Sequence, residues 1–316
     1  METNHYHSII VGAGPAGLTA GMYLSRAKMK TLILDSGIAG GQLILTHEVA
    51  NYPGIESVSG YALSMSMKKQ AMAFGCDIMS GVSIKDIDFE SDVKSVALSN
   101  GKQFTADTVI LATGGRSKTL NVPGEDVFKG RGISYCATCD GDFFQDKEIA
   151  VVGGGNTALE EAVSLTKYAS KVTLIHMLDH FQAFAYAQEE AANNPKIEFL
   201  MNSKITAFNG DDKLSSVTVE NLVTHEVKEL TLDGVFVFIG YEANTDFVRG
   251  RCIRLNERNE ILTDENLQTN VTGVFATGDA IAKRYRQITT AVSDGTIAAL
   301  NAMEYIHFKN RQPQVV

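Results

Sequence analysis

An α/β fold of two doubly wound units is predicted by three features of this sequence. A β-rich run, a glycine turn, an amphipathic helical stretch and a second β-rich run occur in that order twice, near residues 8–35 and 149–176. The two copies share one spacing, with Gly12 to Asp35 matching Gly153 to His176. Three more apolar runs, 107–111, 234–239 and 273–276, end in glycine turns, as buried strands of parallel sheets do.

The first copy runs Ser8-Ile9-Ile10-Val11, then Gly12-Ala13-Gly14-Pro15-Ala16-Gly17, a helix to about Ala27, and Thr31-Leu32-Ile33-Leu34-Asp35. One glycine makes the tight turn, one lets backbone N–H groups approach a pyrophosphate, and one lets helix pack on strand. The helix N-terminus turns its partial positive charge toward the phosphates. Asp35 stands where a carboxylate accepts a ribose hydroxyl. The second copy runs Ile149-Ala150-Val151-Val152, Gly153-Gly154-Gly155-Asn156-Thr157-Ala158, a helix to about Tyr168, and Lys171 to His176. Two such units in register predict two Rossmann-like dinucleotide-binding domains, although strand-to-helix packing alone could account for the second set of glycines. Gly278 and Asp279 close the last apolar run, where Asp279 could hold a sugar or ribityl hydroxyl. The expected plan is a discontinuous first domain, 1–117 and 245–316, with 118–244 inserted.

The length of 316 residues suits roughly two domains of about 150 residues. With 44% apolar and 21% charged residues, the chain is excluded from the disordered, collagen-like and disulfide-stapled classes. A net charge of -9 argues against broad nucleic-acid binding, which needs clustered cations. No apolar run approaches the roughly 18 residues of a membrane span, and Met1 to Ser8 is polar, so a cytoplasmic protein without membrane attachment is expected.

Of four cysteines, Cys136 and Cys139 form a C-x-x-C, whereas Cys76 and Cys252 read as buried thiols. The spacing lets two sulfurs reach disulfide distance while one thiolate is stabilised for attack. A structural zinc site needs four ligands and no second such motif is present, so no metal is expected. Asp140, beside the second sulfur, could carry a proton to or from a leaving thiolate, or could simply cap a helix.

Together these segments resemble the low-molecular-weight thioredoxin reductases over nearly the whole chain. The matching stretches are 12–17, Gly40-Gly41-Gln42-Leu43, Glu48-Val49-Ala50-Asn51-Tyr52-Pro53-Gly54, Cys136-Ala137-Thr138-Cys139-Asp140-Gly141, 153–158, Ala276-Thr277-Gly278-Asp279 and Tyr285-Arg286-Gln287. The resemblance implies that the first unit binds FAD, with Gly41, Gln42 and Asn51 near the ribityl chain and flavin and Asp279, Arg286 and Gln287 closing over it. It implies that Cys139 faces the flavin and that Cys136 attacks the disulfide of thioredoxin or a thioredoxin-like protein. It also implies a homodimer.

One departure concerns the electron donor. NADPH-using members of the family carry His-Arg-Arg-x-x-x-Arg after the last strand of the second unit, a set of guanidinium groups suited to a 2′-phosphate. Here the run is His176-Met177-Leu178-Asp179-His180-Phe181-Gln182. Each lost charge-assisted contact is worth roughly 1.5–3 kcal/mol, which makes NADPH an unfavoured donor. NADH is not a clean substitute, because His176 occupies the position of the expected acid; Asp179 could replace it from the loop. The pattern resembles the ferredoxin-dependent flavin thioredoxin reductases, so ferredoxin or another non-NADPH donor is the leading expectation. Lys283, Arg284 and Arg286 are the candidate ferredoxin groove. The alternatives are an NADH- or NADPH-dependent thioredoxin reductase and a flavin-binding redox sensor without turnover.

Overall fold

The computed structural model describes residues 4–45, 49 and 51–311, with positions 45, 138, 139, 310 and 311 described for their backbone alone. The chain divides into two compact units, residues 1–116 with 242–316, and residues 117–241. In chain order the first unit holds β1 (His5–Val11), α1 (Pro15–Arg26), β2 (Thr31–Leu34), α2 (Gly60–Ala73), β3 (Asp77–Met79), β4 (Ile84–Asp88), β5 (Lys94–Leu98) and β6 (Gln103–Leu111). β7 (Gly115–Ser117) leads out of it. The second unit holds α3 (Glu125–Phe128), β8 (Ile133–Ser134), α4 (Ala137–Asp140), β9 (Glu148–Val152), α5 (Asn156–Leu165), β10 (Lys171–Ile175) and α6 (Ala185–Ala192). It continues through β11 (Ile197–Leu200), β12 (Ser203–Gly210), β13 (Leu214–Asn221), β14 (Val227–Thr231) and β15 (Gly234–Val237). β16 (Tyr241–Ala243), which pairs with β7, leads back to β17 (Val274–Ala276) and α7 (Ile288–Arg311).

The first sheet has the order β3-β2-β1-β6-β5-β4, with β17 also on β6. β1 lies between two parallel neighbours, β2 and β6, and its Ile9-Ile10-Val11 run is buried, as a strand covered on both faces requires. β6 serves two further partners along its length. Residues 103–106 pair antiparallel with β5, and 109–111 pair parallel with β17. The carboxyl ends of β1, β6 and β17 therefore lie side by side, the edge at which parallel sheets bind nucleotides. Pro15 at the first turn of α1 presets the helical φ where an N–H would have no intrahelical partner. Small residues on α1 admit α7 closely: a Cβ at Gly295 would lie 2.3 Å from Ala16 O.

The second sheet is parallel throughout, in the order β11-β10-β9-β15-β8. Alternate residues of β9 serve different layers. Ile149 and Val151 pack with Leu159 and Ala162 of α5 and Ala187 and Ala191 of α6. Ala150 and Val152 pack with Ile205, Phe208, Val217 and Val219 of the antiparallel β12-β13-β14 sheet. The second unit is thus a parallel sheet with helices on one face and a small meander on the other.

Candidate active site

The β1–α1 turn is built from backbone contacts that exclude side chains. Gly12 has φ +106°, and a Cβ there would lie 2.2 Å from Ala112 O; at Gly17 it would lie 1.9 Å from Gly12 O. Gly14 meets only Gly41 Cα, at 3.9 Å, which leaves the backbone at the start of α1 accessible. Pro15 and Ala16 open that helix, whose first N–H groups have no intrahelical acceptors. Asp35, directly after β2, accepts Ala13 N–H at Oδ2 (2.6 Å) and Gly37 N–H at Oδ1 (2.7 Å). A carboxylate has about four acceptor positions, so lone pairs remain for hydroxyl donors.

The other expected first-unit residues fall around this turn or on segments that pack against it. Gly41 (φ +58°) begins a short 3-10 turn, and Gln42 is exposed. Asn51 Nδ2 donates to Gln287 Oε1 at 3.4 Å. At Gly278 (φ +72°) a Cβ would lie 2.8 Å from Ala16 Cβ, which sets this turn directly on α1. Asp279 is largely buried, and desolvation raises its pKa despite Lys283 Nζ at 3.3 Å. Beyond that ion pair its Oδ1 has no hydrogen-bond partner, and neither does the buried Nε of Arg286, which pairs with Glu260 through another nitrogen. Glu48 and Ala50, within the matched stretch, lie outside the described residues.

In the second unit, Cys136 is disulfide-bonded; in the first, Cys76 and Cys252 are free thiols, Cys76 buried as expected and Cys252 only partly so. Burial pushes the Cys76 thiol up to about 12, so it stays protonated and inert. The side chain of Cys139 lies outside the described residues. Cys136 N–H donates to Ser134 Oγ (3.0 Å), and Asp140 N–H donates to Cys136 O (3.3 Å) at the end of α4. Glu125, which the sequence reading missed, anchors the approach to the pair. Its buried carboxylate accepts Leu120 N–H, Asn121 N–H and the Tyr135 hydroxyl at 2.9, 2.6 and 2.6 Å. No local pattern marks it, because its partners come from a loop and from β8's end.

The β9–α5 turn repeats the first turn's construction. Gly153 has φ +145°, and a Cβ there would lie 2.3 Å from Phe238 O, as Gly12 meets Ala112 O. A cavity of about 530 Å³ opens over this turn, lined by residues 153–158 together with Met177, Gln182, Lys204 and Tyr241 among others. His176 is buried, and its ring is packed on Gly154, where a Cβ would lie 2.2 Å from it. Its Nε2 is 3.1 Å from His180 O, and the ring stacks on Phe181 at 5.6 Å. Since a carbonyl only accepts, this contact needs the proton on Nε2. Gln182 N–H closes the loop onto Gly154 O at 2.8 Å.

Two sequence expectations need correction. Asp179 does not stand in for the missing acid: it is exposed, bonds His180 Nδ1 at 2.6 Å and does not line the cavity. Nor do Lys283, Arg284 and Arg286 make a basic groove. Lys283 is mostly buried between Asp279 and Asp294 (2.8 Å), Arg286 is paired with Glu260, and only Arg284 is exposed, over the Tyr285 ring. Acids four to twenty-six residues away neutralise a cluster that looks basic in one dimension.

Comparison with known proteins gives a consistent result. The family model of pyridine nucleotide-disulphide oxidoreductases matches residues 6–295. The chain is 45% identical to the thioredoxin reductase of Peptoclostridium acidaminophilum over 310 residues, 96% of this chain and 98% of that one. It superposes on thioredoxin reductase of Lactococcus lactis, in the FR conformation, with a TM-score of 0.90 at 40% identity, covering 96% of this chain and 99% of that one. A ferredoxin-flavin thioredoxin reductase from Clostridium acetobutylicum is more distant, with a TM-score of 0.52 at 29% identity and coverage of 96% and 99%. The chain belongs to the pyridine nucleotide-disulphide oxidoreductase family, as a thioredoxin reductase-like flavoprotein oxidoreductase.

Proposed function

We propose that the chain is an FAD-dependent reductase of thioredoxin or a thioredoxin-like protein, supplied with electrons by a nicotinamide dinucleotide bound in the second unit. The observation that carries the donor assignment is the 530 Å³ cavity over the β9–α5 turn. A turn kept only for packing needs no such space. This reading shifts the balance from ferredoxin, the leading expectation from the sequence, toward the nucleotide alternative.

The surroundings of the first turn fit FAD. Arg286 Nε is a buried polar atom in want of a partner, Asp279 Oδ1 meets only the Lys283 ammonium, and Asp35 has spare acceptor capacity beside an open helix N-terminus. Gly12, Gly14, Pro15, Ala16 and Gly17 would form the pyrophosphate turn, with Asp35 on the ribose and Gly41, Gln42, Asn51, Gly278, Asp279, Arg286 and Gln287 toward the ribityl and ring. When bound, FAD supplies a two-electron relay between the nucleotide and the disulfide.

The protein's own chemistry then lies in its sulfurs. Two electrons and two protons open the Cys136–Cys139 disulfide. The Cys136 thiolate attacks one sulfur of the thioredoxin disulfide, forming a mixed disulfide and expelling a thiolate that Asp140 could protonate. Cys139 then attacks Cys136, expels the second thioredoxin thiolate and restores the starting bond. A cycling pair of this kind suits the reducing cytoplasm, and we propose a homodimer there on family resemblance. Among the described residues no helix is long and apolar enough to cross a membrane.

A second reading, ferredoxin as donor, keeps one observation in its favour: the loop after β10 offers no guanidinium group and no acid to the cavity. Anaerobic mixing of the purified yellow protein with NADH, NADPH and reduced ferredoxin in parallel separates the two. Flavin bleaching by a nucleotide is expected; bleaching by ferredoxin alone overturns the donor assignment. In the same assay Cys139→Ser should keep FAD and lose thioredoxin reduction, and retained turnover would remove the disulfide mechanism.

A further inference from the structure

Among the described residues lining the second-unit cavity, Lys204 is the one with a permanent charge. It comes from β12, a segment with no part in the glycine-turn motif, yet the backbone ties this segment to the loop that follows β10. Ser203 N–H donates to His176 O at 2.9 Å, and Asn202 N–H donates to Leu178 O at 3.1 Å. The lysine therefore enters the cavity wall next to Met177, on the side where the loop has no cation of its own. Its ammonium rests on Glu220 Oε2 at 3.1 Å, across the β12–β13 pair, and the side chain is 43% exposed. A lysine in this state is held but not committed: the arm is flexible, and the pair is solvated and salt-screened.

We infer that Lys204 reads the 2′ position of the bound dinucleotide, favouring a 2′-phosphate over a 2′-hydroxyl. This rests on the nucleotide reading above. The phosphate dianion competes with Glu220 for the ammonium and wins on charge, while a hydroxyl leaves the ion pair undisturbed. The preference is modest for two reasons. An ammonium is a point charge without the bidentate fork of a guanidinium, and Glu220 must be displaced first. The missing arginines thus weaken the phosphate preference without reversing it.

Calorimetric titration of the purified holoprotein with adenosine 2′,5′-bisphosphate and with AMP tests this without any redox step. The bisphosphate is expected to bind about tenfold more tightly, a ratio that shrinks as salt is raised. Lys204→Met should bring the ratio to about one, and Glu220→Gln should raise it severalfold by freeing the ammonium. If both ligands bind and the ratio in Lys204→Met equals that of the native protein, the assignment of Lys204 is overturned while the nucleotide reading stands. If neither ligand binds the native protein at millimolar concentration, the nucleotide reading falls and takes the assignment with it. An unchanged ratio in Glu220→Gln would likewise overturn the proposed competition.

Discussion

The two glycine turns are the same object carrying different neighbours. Each begins with a glycine whose missing side chain would strike a carbonyl of an adjacent strand end, Ala112 O at 2.2 Å in the first unit and Phe238 O at 2.3 Å in the second. At the next position they part. Ala13 turns its N–H onto the Asp35 carboxylate at 2.6 Å, and its methyl group is tolerated. Gly154 has no methyl group, and the space is taken by the His176 ring. A short acid bonds the turn's backbone; a ring covers it. The residue after the second strand and the second residue of the turn therefore have to change together. The acid leaves a carboxylate with spare acceptor capacity beside its turn, whereas the ring leaves a surface that offers shape instead of charge.

The largest effect should come from the shared first glycine. Gly12→Ala forces a Cβ into Ala112 O at φ +106°, and a steric insertion at a strained φ costs about 3 kcal/mol. Gly153→Ala meets Phe238 O at φ +145° and should cost a similar amount. The two variants differ in what they lose. Gly12→Ala should purify with little flavin colour, while Gly153→Ala should stay yellow with a lowered melting temperature. Loss of flavin from both would mean that the two units are not independent binding sites.

A smaller effect tests the pairing at the second position. Gly154→Ala puts a methyl group against the His176 ring, for about 1–2 kcal/mol, since a side chain can yield where a backbone cannot. Combined with His176→Asp the cost should largely vanish, because the new carboxylate can accept the N–H at position 154 as Asp35 accepts that of Ala13. A double-mutant cycle by chemical denaturation should show coupling of about 1 kcal/mol or more, and additive costs would show that the two positions do not communicate. The double variant should also use NADH better than its parent, because it regains an acceptor for the ribose hydroxyls.

The repeat and its glycine turns were legible because each is local. A turn is written in consecutive residues, and an apolar run of four or five marks a buried strand wherever it pairs. What the sequence concealed is set by how side chains converge in space. β12–β14 carries no motif, although it covers one face of the second sheet and delivers Lys204 to the cavity. Lys283, Arg284 and Arg286 look like one basic cluster until Asp294 and Glu260 arrive from other segments. Glu125 gave no signal because its value lies in three donors converging on a buried carboxylate. Asp179 misled by adjacency, being close to the cavity in sequence and turned to His180 in space.

The smallest expected effect is a pH dependence confined to the second turn. Burial, the dominant cause, holds the His176 pKa below its ordinary 6.5, with His180 O opposing through its hydrogen bond. The groups bearing on the ring are His180 and the uncharged Phe181, Gly154 and Gln182. A base with a depressed folded pKa stays neutral in the fold while the unfolded chain takes up its proton. Stability is therefore full above about pH 6.5, falls as pH drops through the window down to the folded value, and levels off below it. Melting temperature followed from pH 7.5 to 5 should drop less steeply in His176→Gln than in the native protein. Parallel curves would mean that protonation of the ring is accommodated without opening the His180 contact, and that the second turn is looser than its packing implies.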